Sequence, residues 1–588
     1  MASGADARAP TGGEPMTVST YIAQFLRAQQ IDTVFEMAGG MITHLLDALA
    51  ASQGIRIVSM HHEQAAAFAA DAFGRMTGRP GVAFATSGPG ATNLLTGIAS
   101  CYFDSTPAVF ITGQVNTHEQ KKTRSIRQLG FQETNIVSMA APVTKAAIAL
   151  ERPGQIRSAL TYAFETAASG RPGPVLIDIP MDLQRAEIHE DQPHLIACTR
   201  PLMSQEFSFA RLESDLRTAA RPLLLAGAGV RLSGAREDLL RFVERTHIPV
   251  VTSLLGLDLL SFDHPLRMGF IGSYGNRWAN QALALSDLLI VIGSRLDIRQ
   301  TGADTKSFQS GKKIYHIDCD KSEINNRISG CEAVASDAGK FLRAVDRAFA
   351  STAFEPRTSW INEISRLRAH QPDTNEVDTR EFVNPNRFLH ELSRVSPYAR
   401  AFVADVGNHQ MWCAQSLELA AHQRFLTSGG MGSMGFALPA AIGASISARN
   451  APIVVIAGDG GFQLNLQELQ TIVHHKLPVK IVVLNNHCLG MIRQFQDSYF
   501  ESRYQSTLNG YSAPDFAAVA SAYGIESRSI LHEGESADAC RWLWSNGSQP
   551  SLLQVHIGTH VNAYPKIAFG KPISEMEPLA SPDGMEGT

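Results

Sequence analysis

The sequence predicts an α/β protein built as three doubly wound, parallel-sheet domains. Three observations predict it. Continuous aliphatic and β-branched runs alternate with helical patterns along most of the chain, as parallel strands buried on both faces require. Ten such runs are too many for one compact sheet. Two polar stretches, residues 182–205 and 352–385, interrupt the alternation and divide the chain at about 17–185, 200–350 and 380–565.

The strand runs lie at residues 81–86, 108–112 and 175–180 in the first division. The second holds 223–226, 249–253, 288–293 and 313–318, and the third holds 401–406, 452–457 and 479–485. Thr86-Ser87-Gly88-Pro89-Gly90 is echoed by Thr427-Ser428-Gly429-Gly430-Met431-Gly432. Each follows a short apolar run, which suggests that the outer domains share a topology; chance is the competing reading. Residues 1–15 lack an apolar signal core and read as a loose tail. The acidic, Pro- and Gly-containing end from residue 575 is expected to be a mobile tail.

Composition excludes several classes. Of the 588 residues, 44% are apolar and 18% charged, enough for ordinary cores and against a disordered chain. A net charge of −5 offers no basic excess for a nucleic acid. The seven cysteines form no C-x-x-C, which argues against a zinc ribbon or redox pair and fits a reducing cytoplasm. No apolar run is long enough to span a membrane.

The sharpest motif is Gly458-Asp459-Gly460-Gly461 after one predicted strand, with Asn486 after another. Asp459 and Asn486 therefore fall at the carboxyl ends of two parallel strands, where open α/β sheets bind ligands. A carboxylate and an amide oxygen are a sparse hard-oxygen set. They suit Mg2+, which completes its shell with phosphate oxygens and water. The glycines let backbone approach a phosphate. Two ordinary strand-to-helix turns are the alternative. His61-His62-Glu63-Gln64 leads into an Ala-rich helix with Glu63 in its first turn, where the helix dipole alone favours an acid. The two histidines, read on a strand, point to opposite faces and make no metal pair. Thr86 to Asn93 is a strand, glycine loop and helix without the lysine of a P-loop. Ala226-Gly227-Ala228-Gly229 looks like a nucleotide turn, but Leu232 stands where G-x-G-x-x-G has its third glycine, so a plain NAD site is disfavoured.

Gly458-Asp459-Gly460 through Asn485-Asn486 resembles the thiamine-diphosphate signature of the pyruvate-decarboxylase and acetolactate-synthase superfamily. The resemblance spans about residues 17–560 and is specific to the acetolactate-synthase branch at 405–412 and 428–444. It implies an N-terminal pyrimidine-binding domain, a central FAD-binding domain and a C-terminal diphosphate-binding domain. It makes Asp459, Asn486 and the main-chain oxygen of Cys488 ligands of Mg2+. It makes Glu63 the partner of the cofactor's aminopyrimidine, in a relay that removes the thiazolium C2 proton. Gly39, Gly40, Ser87, Gly88, Pro89 and Asn93 are implied around the pyrimidine. Gly407, Asn408 (where Gln is usual), His409, Gly458, Gly460 and Gly461 are implied at the diphosphate. The Gly432 carbonyl would accept from the 4′-amino group, and Met434 would wedge between the two rings, an irregular gap that a core methionine also fills. Residues 293–302 and His316-Ile317-Asp318 resemble the flavin segments, which places Gly227, Gly229, Arg299 and Asp318 against FAD. Arg295 would meet the carboxylate of the second substrate. Gln132 and Lys145 would stand around the acceptor.

The implied activity is a carboligase that decarboxylates pyruvate and passes the two-carbon unit to a second carbonyl. With pyruvate as acceptor the product is 2-acetolactate, and FAD is structural. The implied enzyme is cytoplasmic and serves branched-chain amino-acid biosynthesis. It is a homodimer or homotetramer with its site at the subunit interface, and a regulatory small subunit is a further implied partner. Four departures bear on the acceptor: Ala38 for Pro, Ser273-Tyr274 for Met-His, Ile298 for Asp, and Phe495 for the Trp that helps select 2-ketobutyrate. They keep open two alternatives, transfer to a keto-sugar nucleotide and simple 2-keto-acid decarboxylation. A catalytically silent paralogue is opposed by intact Glu63, Asp459 and Asn486.

Overall fold

The computed structural model describes residues 16–188, 207–377 and 382–585. The expected N-terminal tail and most of the first polar stretch lie outside the described residues. Eighteen strands form three six-stranded sheets. The first holds β1 (Thr33–Met37), β2 (Arg56–Ser59), β3 (Gly81–Ala85), β4 (Ala108–Gln114), β5 (Ala146–Ala149) and β6 (Pro174–Pro180). The second holds β7 (Pro222–Ala226), β8 (Val250–Thr252), β9 (Arg267–Phe270), β10 (Leu288–Ile292), β11 (Lys313–Asp318) and β12 (Glu332–Ala335). The third holds β13 (Ala401–Ala404), β14 (Arg424–Leu426), β15 (Ile453–Gly458), β16 (Val479–Asn485), β17 (Glu526–Ile530) and β18 (Ser551–His556). Every pairing in the three sheets is parallel.

All ten runs read from the sequence fall on strands, because parallel strands bury both faces and are mostly apolar. The orders are β2-β1-β3-β4-β6-β5, β12-β11-β10-β7-β8-β9 and β14-β13-β15-β16-β18-β17. The outer two are the same order. The echo that suggested it is not in equivalent places, however: Thr86 follows the third strand of its sheet and Thr427 the second of its own. The structural counterpart of Thr86 to Gly90 is the turn after β15, which carries Asp459.

Contacts group the chain into two compact units. One joins residues 1–200 to 428–451 and 465–477; the other holds the remainder, including the second and third sheets. The centre of the first unit is the helix Glu63–Thr77, whose alanines 65, 66, 67, 69, 70 and 72 are wholly buried. A helix buried on nearly every side is a core helix. Its neighbours come so close that a Cβ at Gly97 would stand 2.2 Å from Ala67 Cβ, and one at Gly443 would stand 2.0 Å from Ala69 O. Gly443 lies on the helix Ala437–Ser447, so a segment from the third division packs on a helix of the first.

Three expectations are corrected. The second polar stretch holds the helix Thr358–His370, anchored by buried Trp360 and Ile364 at i, i+4 spacing. The C-terminal segment is tied down at Asp583, whose N–H donates to Phe569 O at 2.9 Å, and at residues 576–577. There Met576–Glu577 pairs with Lys566–Ile567, and Arg277 donates to the carbonyls of Met576 and Glu577 at 3.1 Å while gripping Glu376 with two bonds of 2.8 Å. His61 and His62 are not on a strand. β2 ends at Ser59, and His62 caps the helix through Nδ1, which accepts from Gln64 N. Among the described residues no helix is long and apolar enough to cross a membrane.

Candidate functional site

In each sheet the chain starts in the middle, runs to one side and returns to the other, leaving a crevice where the order reverses. In the third sheet that crevice lies between β13 and β15. Its walls are Asp405 to Asn408 and Gly458-Asp459, and Asn485-Asn486 ends the adjacent β16. The His409 ring fills the space between the two walls. A Cβ on Gly407 or Gly458 would come within 2.8 Å of it, and Gly458 N donates to Nε2 at 3.3 Å. Burial pushes the imidazole pKa down to about 3, so the ring is a neutral acceptor. A Cβ at Gly461 would stand 2.5 Å from Asp405 Oδ1.

Asp459 is 2% exposed, and among the described residues its Oδ2 has no hydrogen-bond partner. Burial raises its carboxyl to about 6, against hydrogen bonds from the Tyr511 hydroxyl and nearby main-chain N–H groups. Asn408 Oδ1 is likewise buried and unpartnered. The amides of Asn408 and Asn486 converge on Gly490, where a Cβ would stand 2.9 and 2.6 Å from their Nδ2 atoms. Asn486 Oδ1 accepts from Cys488 N at 3.3 Å. Burial holds the Cys488 thiol up at about 11, so this residue offers its carbonyl rather than a thiolate. A buried carboxylate oxygen without a donor, beside the Asn486 amide oxygen and a neutral thiol, fits a hard divalent cation carrying phosphate oxygens. Asp459, Asn486, Cys488 and Asn408 are thus brought together. Tyr511 and Gly490 join them unannounced by any motif.

In the first sheet the crevice lies between β1 and β3, and its walls touch: a Cβ at Gly39 would stand 2.4 Å from Thr86 Cβ, and Met41 N donates to Thr86 Oγ1 at 3.2 Å. Gly40 has open space around it. Glu63, 9% exposed, is the first residue of its helix. Its Oε2 accepts from Asn93 Nδ2 at 2.9 Å, and its Oε1 lies where a Cβ on Gly90 would be 3.1 Å away. Pro89 opens the short helix that carries Asn93, and Ser87 Oγ is buried without a partner among the described residues. Gln132, at φ +67°, packs on Gly88, where a Cβ would meet its own Cβ at 2.9 Å. Lys145 Nζ donates to Ser169 O at 2.6 Å and to Thr166 O, at the carboxyl end of the helix Ile156–Ala168. The same unit holds the loop before Ala437–Ser447, where Gly432 and Gly435 adopt φ of +68° and +81° on either side of Met434. Asn465 Nδ2 donates to Gly435 O at 2.7 Å.

In the second sheet the crevice lies between β7 and β10. Gly227 and Gly229 are needed by the contact of the two turns, since a Cβ would stand 2.2 and 3.1 Å from Gly293 O. His316 is 1% exposed, with Nε2 against Ser294 O at 2.9 Å and Nδ1 unpartnered among the described residues; burial lowers its pKa. Asp318 accepts from Asp320 N. Arg299 is exposed, whereas Arg295 is held by Asp297 at 2.8 Å. Ser273 N donates to Arg299 O at 2.6 Å, and the Tyr274 hydroxyl reaches Met491 Sδ at 3.1 Å, one turn of helix from Phe495. An orphaned imidazole nitrogen and an open guanidinium beside a switch-point turn fit a dinucleotide such as FAD.

Three domain families match the chain. They are the thiamine pyrophosphate enzyme N-terminal TPP binding domain over residues 16–139, the central domain over 210–345 and the C-terminal TPP binding domain over 405–555. A probable acetolactate synthase large subunit of Methanocaldococcus jannaschii is 38% identical over 91% of both chains. The acetolactate synthase large subunit of Corynebacterium glutamicum is 37% identical over 96% of this chain and 90% of its own. The isozyme 2 large subunit of Escherichia coli K12 is 35% identical over 95% and 99%.

Proposed function

The chain belongs to the thiamine pyrophosphate enzyme family, and we propose that it joins two molecules of pyruvate into 2-acetolactate with loss of CO2. Thiamine diphosphate, when bound, supplies an acidic carbon and a cationic ring that takes up the electron pair freed by decarboxylation. Two pyruvate anions and one proton balance one acetolactate anion and CO2, so FAD has no redox duty and is structural. Asp459, Asn486 and the Cys488 carbonyl would hold Mg2+, whose charge would balance that of the diphosphate. Gly407, Asn408, His409, Gly458, Gly460 and Gly461 let the phosphates approach main chain. Glu63 holds a proton at the aminopyrimidine ring, kept in place by Asn93. Gly432 would offer a carbonyl to the cofactor's amino group, and Met434 would support its bent form. Gly227, Gly229, Arg299 and Asp318 bind FAD. Arg295, its charge shared with Asp297, would meet the acceptor carboxylate.

The observation that carries the reading is the unpartnered, buried Asp459 Oδ2 beside Asn486 and Cys488 at the ends of β15 and β16. The proposed active form is a homodimer or homotetramer, with the site at the subunit interface and a regulatory small subunit as an added partner, working in the cytoplasm. Exhaustive chelation should abolish CO2 release from pyruvate, and only Mg2+ with thiamine diphosphate should restore it. Turnover without either would overturn the reading. Transfer to a bulkier keto-sugar is the second reading, favoured by Ser273 and Phe495 in place of larger side chains.

A further inference from the structure

The loop from Ser428 to Met434 is held at its start by a buried ion network. Asp104, whose side chain is 1% exposed, faces two consecutive main-chain donors. Its Oδ2 accepts from Gly429 N at 3.0 Å and its Oδ1 from Gly430 N at 2.6 Å. Arg75 Nη2 donates to Asp104 Oδ2 at 2.8 Å and to Asp71 Oδ2 at 3.0 Å; the Arg75 and Asp71 side chains are 8% and 0% exposed. The same guanidinium lies 5.4 Å from the centre of the Phe436 ring, just beyond the loop. Ser428 Oγ accepts from Ser433 N at 3.1 Å and stands 3.2 Å from Ser100 Oγ.

A carboxylate that accepts two successive N–H groups fixes both the position and the direction of the chain at that turn. Two left-handed glycines follow, and nothing fills the space beside Gly432. The loop beyond Gly430 therefore takes its orientation from its two ends: Asp104 at the start, Asn465 and Phe436 at the close. Arg75 and Asp71 sit on the buried helix that begins at Glu63, so the anchor is attached to the most closely packed element of the unit.

We propose that Asp104, with its charge held by Arg75, is a positioning residue that sets the conformation of Gly432 and Met434. The proposal rests on the reading above that those two residues address the thiamine rings. Loss of alignment by about 1 Å is enough to slow a reaction by up to roughly a hundredfold, so the anchor acts on chemistry without touching the reacting atoms.

The test uses the full chain with Asp104→Asn, Arg75→Lys and Met434→Ala. Hydrogen–deuterium exchange of the cofactor-free protein reads the loop directly. Asp104→Asn should speed exchange of peptides covering residues 427–436 by about tenfold while the rest of the chain keeps its protection. Calorimetry should give thiamine diphosphate affinity, with Mg2+, within about threefold of wild type, since Asp459 is untouched. Exchange of the bound cofactor's C2 proton should slow by about tenfold or more. Arg75→Lys should show the same pattern, more weakly. Unchanged loop exchange in Asp104→Asn would overturn the proposal. So would a wild-type C2 rate in Asp104→Asn when Met434→Ala is slow. If Met434→Ala is also at the wild-type rate, it is the assignment of the loop to the cofactor that fails. Global loss of protection in both network variants would make the network a folding element and overturn the positioning role.

Discussion

Asn93 Nδ2 donates to Glu63 Oε2 at 2.9 Å, joining the first residue of one helix to the last of another. Among the described residues no hydrogen bond reaches Oε1, the other oxygen of this largely buried carboxylate. Glu63→Gln keeps the shape and an acceptor for Asn93 but cannot hold a proton at a ring nitrogen as a carboxylate does. The variant should fold normally and lose about two or more orders of magnitude in rate. The check is exchange of the cofactor C2 proton by nuclear magnetic resonance; a wild-type rate would remove Glu63 from the relay.

Asp459→Ala should abolish Mg2+-dependent retention of thiamine diphosphate. It removes the one charged group of the oxygen set, leaving the diphosphate unbalanced. Calorimetric titration of cofactor with Mg2+ checks this. Affinity equal to that of the wild type would defeat the metal assignment.

The purified protein should be yellow and release FAD on denaturation, on the strength of the open Arg299, buried His316 and the turn at Gly227 and Gly229. A colourless protein that takes up no added FAD yet turns over pyruvate would contradict the flavin assignment.

In the proposed reading Phe495, with Ser273, stands at the acceptor pocket. One methylene in an apolar pocket is worth about 1–3 kcal/mol, and Phe495 leaves more room than Trp. Competition between equal pyruvate and 2-ketobutyrate as acceptors should show no strong preference for 2-ketobutyrate. Phe495→Trp should raise that preference by about tenfold. A native enzyme that makes mostly 2-aceto-2-hydroxybutyrate would show that Phe495 does not set the pocket.

His390 bridges Asp373 and Glu418 at 2.8 Å each. Burial opposes its charge, but the bonds to the two carboxylates prevail and hold its pKa above 6.5. Burial alone would raise Asp373, and its bonds to His390 bring it below its ordinary value. A raised histidine pKa stabilises the fold fully below the unfolded value near 6.5, and the contribution fades as pH rises through the folded value. The melting temperature of His390→Gln should therefore trail wild type most at about pH 5–6, by roughly 1 °C per kcal/mol lost for a chain of this length. The gap should narrow toward pH 9. A gap that widens with pH would contradict the ion pair.

The runs at 223–226 and 288–293 were legible as strands because their side chains stay apolar on both faces. β1 and β18 were not, although buried, because Glu36 and Gln554 interrupt the apolar run. The edge strands β5 and β17 are partly exposed and carry no strong pattern. Asp459 and Asn486 could be read because each ends a legible strand. Tyr511, Gly490 and Asp104 could not, since only tertiary structure brings them to their partners. The tail from residue 575 read as mobile because the side chain that anchors it, Arg277, lies far away in sequence.

The most direct test is the product made from carbon-13-labelled pyruvate with Mg2+ and thiamine diphosphate, followed by nuclear magnetic resonance. Supplied as sole substrate, pyruvate should give one CO2 and one 2-acetolactate for every two molecules consumed. Acetaldehyde as the main product, or no consumption of pyruvate by protein that retains the cofactor, would contradict the assignment of a pyruvate-joining enzyme.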